Sequence, residues 1–292
     1  MNNRCMIVIP ARLASTRLPE KLLRRAGGKS ILQHTWEAAS KASIADAVVV
    51  AVDDEKLAEE VNSFGGRVVM TRVDCPSGTD RIAEVAAQFP DFDVFINVQG
   101  DEPEIDPHTV DLVGTMLIHD ANADIATVGT PIRSESLLHD PACVKIVVAA
   151  GGCEAGQSRA GQVDNAEANN TVGKIAKDNQ GDAGTTPAAS QFAGTAIYFS
   201  REAVPHCRSG ITPETLAMEP PLFWHHVGLY AYRRDFLDWF SKQPPSPLEQ
   251  SERLEQLRAI EAGKRIVVGR VQSAASGIDT EADFQAFVGR IG

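Results

Sequence analysis

Short apolar runs alternate with amphipathic stretches through the first half of the chain. Cys5-Met6-Ile7-Val8-Ile9 is continuous and bounded by Pro10, which predicts a buried strand. Ile31, Leu32, Thr35, Trp36 and Ala39 then recur at helical spacing, with Ser30 placed to cap them. Ala47 to Val52 predicts a second strand, and Glu55 to Phe64 a helix stopped by Gly65-Gly66. Val68 to Met70 is a third strand, Thr79 to Gln88 a helix, and Val94 to Val98 a fourth strand. Continuous apolar strands separated by helices predict a parallel sheet covered on both faces. Such sheets bind ligands beyond the carboxyl ends of their strands. The loops at those ends are where chemistry is expected.

The second half predicts strands over Ile125–Val128, Val144–Val148, Thr195–Phe199, His226–Tyr232 and Arg265–Val271. A long helix is expected over Leu248–Ala262, with Leu254, Leu257 and Ile260 on one face. A closing helix is expected over Asp283–Val288, and no internal repeat is visible. Residues 151–192 break the pattern. They are rich in Gly, Ala, Asn, Asp and Gln, and hold few sizeable apolar side chains. Such a segment buries too little surface to offset its ordering entropy. It predicts a mobile surface insertion, away from catalysis, within one domain spanning residues 1–292.

Charge narrows the function. Against 39 Asp+Glu stand 28 Lys+Arg, a net charge of −11. That argues against non-specific nucleic-acid binding, which runs on cationic surface and counterion release. No apolar stretch approaches the ~20 residues of a membrane helix. The first apolar run is too short for a signal peptide. The five cysteines are odd in number and widely spaced, with no C-x-x-C. This pattern predicts a reducing compartment, hence the cytoplasm.

Three loops carry candidate chemistry. The first, Pro10 to Lys21, follows the first strand and holds Arg12, Arg17 and Lys21 with Ser15 and Thr16 between them. Three cations at a strand end suit a polyphosphate. Gly28-Lys29-Ser30 imitates the end of a P-loop, but Leu23 stands where that motif needs glycine. No G-x-G-x-x-G follows the strand either, so a P-loop kinase and a dinucleotide-binding dehydrogenase both lose support. In the second loop, Thr71 to Arg81, Ser77-Gly78-Thr79 opens a helix, as an anion or base site or as a plain N-cap. In the third, Gln99-Gly100-Asp101-Glu102-Pro103 puts polar groups at the end of an apolar strand, where they are costly without a task. A carboxylate there suits magnesium, which takes few protein carboxylates plus substrate phosphates. Asp279, ahead of the closing helix, is read as an N-cap or a second metal ligand.

IPARLASTRLPEK at 9–21, SGTDR at 77–81, NVQGDEP at 97–103 and AIYFSR at 196–201 form one set with HVGLYAYRRDFL at 226–237, SPLEQSERLEQLRAIEAG at 246–263 and GIDTEADF at 277–284. In that order they resemble the 3-deoxy-D-manno-octulosonate (Kdo) cytidylyltransferases, also called CMP-Kdo synthetases. The resemblance covers nearly the whole chain apart from about 150–192. It implies a nucleotide-diphospho-sugar-transferase-like, Rossmann-like α/β fold: a mostly parallel sheet with helices on both faces and a smaller part used in homodimerisation. It implies CTP and Kdo as substrates: the anomeric hydroxyl of Kdo attacks the α-phosphorus, pyrophosphate leaves, and CMP-Kdo feeds lipopolysaccharide synthesis. By the same resemblance, Ala11, Arg12, Ser15, Arg17, Lys21, Arg72, Ser77 and Gln99 hold the nucleotide. Arg17, Lys21, Asp101 and Asp279 carry catalysis, with Mg2+ on Asp101 and Asp279. The sugar side falls to Arg81, Gln99, Tyr198, His226, Glu252, Glu255 and Gln256. Arg81 and His226 are the candidates for the Kdo carboxylate. Glu252 and Gln256, four apart, are expected on one helix face.

Glu20 departs from the family pattern, which places glycine before Lys21. If that position has positive φ, Glu20 is strained. Two other readings stay open: a CMP-synthetase for another acidic sugar such as sialic acid, and a non-catalytic nucleotide-binding paralogue.

Overall fold

A computed structural model describes residues 3–15, 17–149, 191–273 and 277–291. The strands are β1 (Cys5–Ala11), β2 (Arg25–Ala26), β3 (Lys29–Ser30), β4 (Ala47–Val52), β5 (Val68–Met70), β6 (Val94–Asn97), β7 (Ile125–Pro131), β8 (Lys145–Ala149), β9 (Phe192–Ser200), β10 (Trp224–Arg233) and β11 (Ile266–Arg270). The helices are α1 (Ile31–Ala39), α2 (Glu55–Ser63), α3 (Gly78–Gln88), α4 (Pro107–His119), α5 (Glu135–Leu138), α6 (Pro213–Leu216), α7 (Arg234–Phe240), α8 (Pro247–Glu252), α9 (Gln256–Glu261) and α10 (Glu281–Ile291). A 3-10 turn, Lys21–Leu23, follows the first loop.

Nine strands form one sheet in the order β5-β4-β1-β6-β10-β7-β11-β9-β8. The β5-β4-β1-β6 half is parallel throughout, as the apolar runs predict. The other half adds two reversed strands, β10 and β9, to a sheet whose remaining seven strands run one way. β10 runs antiparallel to both β6 and β7, and β9 antiparallel to both β11 and β8; only β11 and β7 pair parallel there. β2 and β3 make a separate hairpin.

Side chains of β1 alternate between two cores, as a strand buried on both faces requires. Ile7 and Ile9 pack with Ile31, Leu57, Val113 and Phe287 from α1, α2, α4 and α10. Met6 and Val8 pack with Ile82, Phe236 and Leu257 from α3, α7 and α9. A smaller cluster of Ile132, Leu138, Cys143 and Phe223 closes one end.

Two departures matter for the site. The single helix expected over Leu248–Ala262 is two helices, α8 and α9, broken at Arg253 with φ 54. The break buries Leu254 and lets Arg258 of α9 reach back to pair with Glu249 of α8 at 2.5 Å. Helix α4, unanticipated, is apolar around most of its circumference, so amphipathic spacing does not reveal it. Its Gly114 lies against the sheet: a Cβ there would stand 2.8 Å from Ile44 Cδ1 and 2.9 Å from Ile96 Cδ1. Phe192, taken above as the end of the insertion, instead starts β9; residues 151–190 lie outside the described residues. Among the described residues, no helix is long and apolar enough to cross a membrane.

Candidate active site

The ends of β1, β4 and β6 bring the first and third loops together. Gly100 is the contact point: a Cβ there would lie 2.9 Å from the Pro10 carbonyl oxygen. Buried Thr35 of α1 donates its hydroxyl to the Gly100 carbonyl at 3.0 Å, and the Ile278 N–H donates to the Asp101 carbonyl at 2.9 Å. Residues 277–279 are thereby tied to the third loop.

Those ties converge on Lys21. Its ammonium donates to Asp101 Oδ2 and, at 2.8 Å, to Asp279 Oδ1. Arg17 stands 3.0 Å from the other Asp279 oxygen. Burial alone would lower the Lys21 pKa; the two carboxylates outweigh it and raise it, so the lysine is a fixed cation. Asp279 is not the cap of α10. Thr280 Oγ1 accepts the Asp283 N–H at 3.2 Å, and Asp283 accepts the Thr280 N–H at 2.8 Å. Glu102, next to Asp101, is buried; burial first and then the Asp101 charge push its carboxyl up to about 8, which keeps it neutral at pH 7.

Beside this cluster lies a cavity of about 580 Å³ lined by Arg12, Ser77, Gly78, Gln99, His226, Gly228, Tyr230, Arg253, Glu255 and Gln256, among others. Ser77 caps α3 by accepting the Asp80 N–H at 3.1 Å. The Thr79 N–H donates to Glu255 at 3.4 Å, and the Thr79 hydroxyl meets the Tyr232 hydroxyl at 3.2 Å. Burial raises the Glu255 pKa; Ser77 and Thr79 work against that rise. A larger hollow, about 780 Å³, borders α4 and the end of β11. Its Arg270 and Arg290 are spent on Glu219 and Glu104, and it holds none of the loop residues singled out above.

Of the residues selected from sequence, the structure brings Arg17, Lys21, Asp101 and Asp279 into one cluster. Arg12, Ser77, Gln99, His226, Glu255 and Gln256 line the adjoining cavity. Ala11 ends β1, fully buried, and Ser15 is half-buried in the first loop.

Five residues sit otherwise than expected. Arg81 does not face the cavity: it is fully buried, hydrogen-bonded to Thr71 and 3.1 Å from Asp53. Asp53 in turn accepts the Leu13 N–H at 3.1 Å, so Arg81 acts on the first loop through Asp53. Arg72 is exposed, lies 3.5 Å from Glu84, and is not among the residues lining the cavity. Glu252 does not share a face with Gln256, because the break at Arg253 intervenes; it accepts from Ser200 Oγ at 2.7 Å and Arg201 N–H at 2.9 Å. Tyr198 points to that same Glu252 at 3.5 Å. His226 lines the cavity, but as a neutral ring: burial pushes its pKa down to about 3, and its Nε2 meets Thr127 Oγ1 at 3.1 Å. It offers no cation to a carboxylate.

Two contributors escaped the sequence reading. Asp53 ends an apolar strand as Asp101 nearly does, and that same signal would have found it. Arg253 carried no signal, because its place depends on the helix break.

Comparison with known proteins places the whole chain in one family. A family model for cytidylyltransferases matches residues 6–266. A 3-deoxy-manno-octulosonate cytidylyltransferase of Rhodopirellula baltica is 52% identical over 99% of this chain and 98% of its own length. One of Geobacter metallireducens is 38% identical over 97% of this chain and 96% of its own. Among solved structures, a CMP:2-keto-3-deoxy-manno-octonic acid synthetase complexed with CTP superposes with a TM-score of 0.77 at 34% identity, covering 99% of this chain and 98% of that one. A 4-diphosphocytidyl-2C-methyl-D-erythritol synthase, at TM-score 0.57 and 11% identity, shares the fold.

Proposed function

The chain belongs to the 3-deoxy-manno-octulosonate cytidylyltransferase family, and on that premise we propose that it transfers CMP from CTP to the anomeric hydroxyl of Kdo, releasing pyrophosphate. The observation that carries the reading is Lys21 shared between Asp101 and Asp279 beside a cavity large enough for a nucleotide and a sugar. Displacement at phosphorus needs charge neutralisation and alignment more than covalent chemistry. Arg12, Arg17 and Lys21 supply positive charge for the phosphates. Lys21 exchanges a carboxylate for a phosphate oxygen as CTP enters. Ser77, Gly78 and Gln99 offer donors to the cytosine and ribose. Glu255 and Gln256 face the sugar.

Asp101 and Asp279 would hold magnesium. Among the described residues, no three His, Cys, Asp or Glu side chains gather as a cage. Two carboxylates completed by substrate phosphates are the donor set magnesium accepts. When bound, the ion neutralises phosphate charge and makes the attacking hydroxyl more acidic.

The free thiols Cys5, Cys75, Cys143 and Cys207 suit the cytoplasm, where CTP is at hand. The product would serve lipopolysaccharide synthesis. A homodimer is the family expectation, and light scattering of the purified chain tests it. The function itself is tested by pyrophosphate release with CTP and Mg2+, offering Kdo and N-acetylneuraminate separately. Release with Kdo alone is expected, and chelation of the metal should stop it. Release with N-acetylneuraminate alone would reassign the sugar. CTP binding without release for either sugar would make the chain a nucleotide binder.

A further inference from the structure

The sugar assigned above carries a carboxylate, and neither cation first considered for it is available. Arg81 is buried against Asp53, and His226 is neutral. Two positively charged side chains line the cavity: Arg12 and Arg253. Arg12 directly follows β1, at the phosphate position of the first loop.

Arg253 is held out of regular structure at the break between α8 and α9, with φ 54 and ψ 49. This left-handed conformation favours glycine or asparagine. The backbone bond that stops α8, Arg253 N–H to the Glu249 carbonyl, is one glycine would make equally well. The cap therefore gives no reason for an arginine side chain. Three glutamates surround it in sequence, and each is engaged elsewhere. Glu249 pairs with Arg258 at 2.5 Å, Glu252 accepts from Ser200 and Arg201, and Glu255 accepts from Thr79. Among the described residues, the exposed guanidinium of Arg253 has no ion pair or hydrogen bond. A strained, unpaired cation at the mouth of a site for an anionic substrate calls for that anion.

We propose that Arg253 binds the carboxylate of the acidic sugar and selects for it, an inference that rests on the Kdo-transferring function above. Arg12 is left to the nucleotide phosphates.

The test uses the full chain with Mg2+, CTP and either Kdo or its uncharged carboxamide. Arg253→Gly keeps the left-handed backbone and removes the guanidinium. It should raise KM for Kdo roughly tenfold to hundredfold, the loss of one charge-assisted pair. KM for CTP should stay within about twofold, on the order of the scatter of independent sites. The preference for Kdo over the carboxamide should fall by a similar factor, and Arg253→Lys should restore part of it. Arg12→Gln should show the opposite split, with KM for CTP rising. An unchanged KM for Kdo in an active Arg253→Gly enzyme would overturn the role of Arg253 alone. A wild-type enzyme that releases no pyrophosphate with Kdo would overturn the function, and this role with it.

Discussion

Lys21 and Asp279 stand 258 residues apart in the chain and 2.8 Å apart in the fold. One carboxylate oxygen of Asp279 meets Lys21 and the other lies 3.0 Å from Arg17, so a single side chain holds two of the first loop's three cations. Asp279→Asn keeps the shape and removes the charge. Its kcat should fall at least about a hundredfold, because preorganised charge is what this displacement depends on. Asp101→Asn should do the same. Pyrophosphate release at saturating CTP and Kdo checks both, and a rate within a fewfold of the wild type would remove these carboxylates from the mechanism.

Glu20 has φ 48 and ψ 35, the left-handed conformation that the sequence comparison raised as a condition. Its contact with Lys56, at 3.0 Å, joins two exposed side chains and contributes little. Glu20→Gly should therefore gain about 0.5–1 kcal/mol of stability, relief of backbone strain less the added freedom of the unfolded chain. It should not lower kcat/KM. Urea midpoints and steady-state rates measure the two effects, and a less stable or much slower variant would show that Glu20 has a task.

Arg81 and Asp53 form a buried ion pair. Arg81→Met would leave Asp53 unpaired and should cost about 3 kcal/mol, the usual penalty for breaking such a pair. Because Asp53 also holds the Leu13 N–H, the loss should reach the phosphate loop. Any rise in KM should then fall on CTP at least as strongly as on Kdo. A rise confined to Kdo, seen by kinetics with each substrate varied, would return Arg81 to the sugar side.

His226 gives the stability a defined acid limb. Its pKa is 6.5 when free and pushed down to about 3 by burial in the fold. Below pH 6.5 the unfolded chain takes up a proton that the folded chain refuses, so stability falls with pH. The slope from this residue approaches 1.4 kcal/mol per pH unit and ends as the folded ring titrates near pH 3. His226→Gln should flatten that limb. Unfolding midpoints at pH 7, 6 and 5 compare the two proteins, and parallel curves would contradict the assignment.

The parallel half of the sheet and its loops were legible because they are local. Met6 and Ile7 alternate in one strand, and Arg12 and Lys21 follow it in one loop. The mixed half was not legible, since strand direction across β10 depends on partners far away in sequence. Charge was a poor guide to placement. Arg81 and Arg72 belong to the same loop-helix segment as Ser77, yet one is buried against Asp53 and the other faces Glu84. The spacing of Glu252 and Gln256 implied a shared face only while the helix was assumed continuous; one left-handed residue sends them apart. The same break places Arg253 in the cavity, and no periodicity reports it.

The position of β11 bears on how the protein is made. It lies between β7 and β9 in the sheet, although both precede it in the chain. During vectorial synthesis the parallel nucleotide half can assemble early, while the far half waits for residues 266–270 to be inserted. Asp279 emerges only after that. A nascent chain thus lacks the carboxylate that holds Lys21 and Arg17 together until nearly all of it has been made.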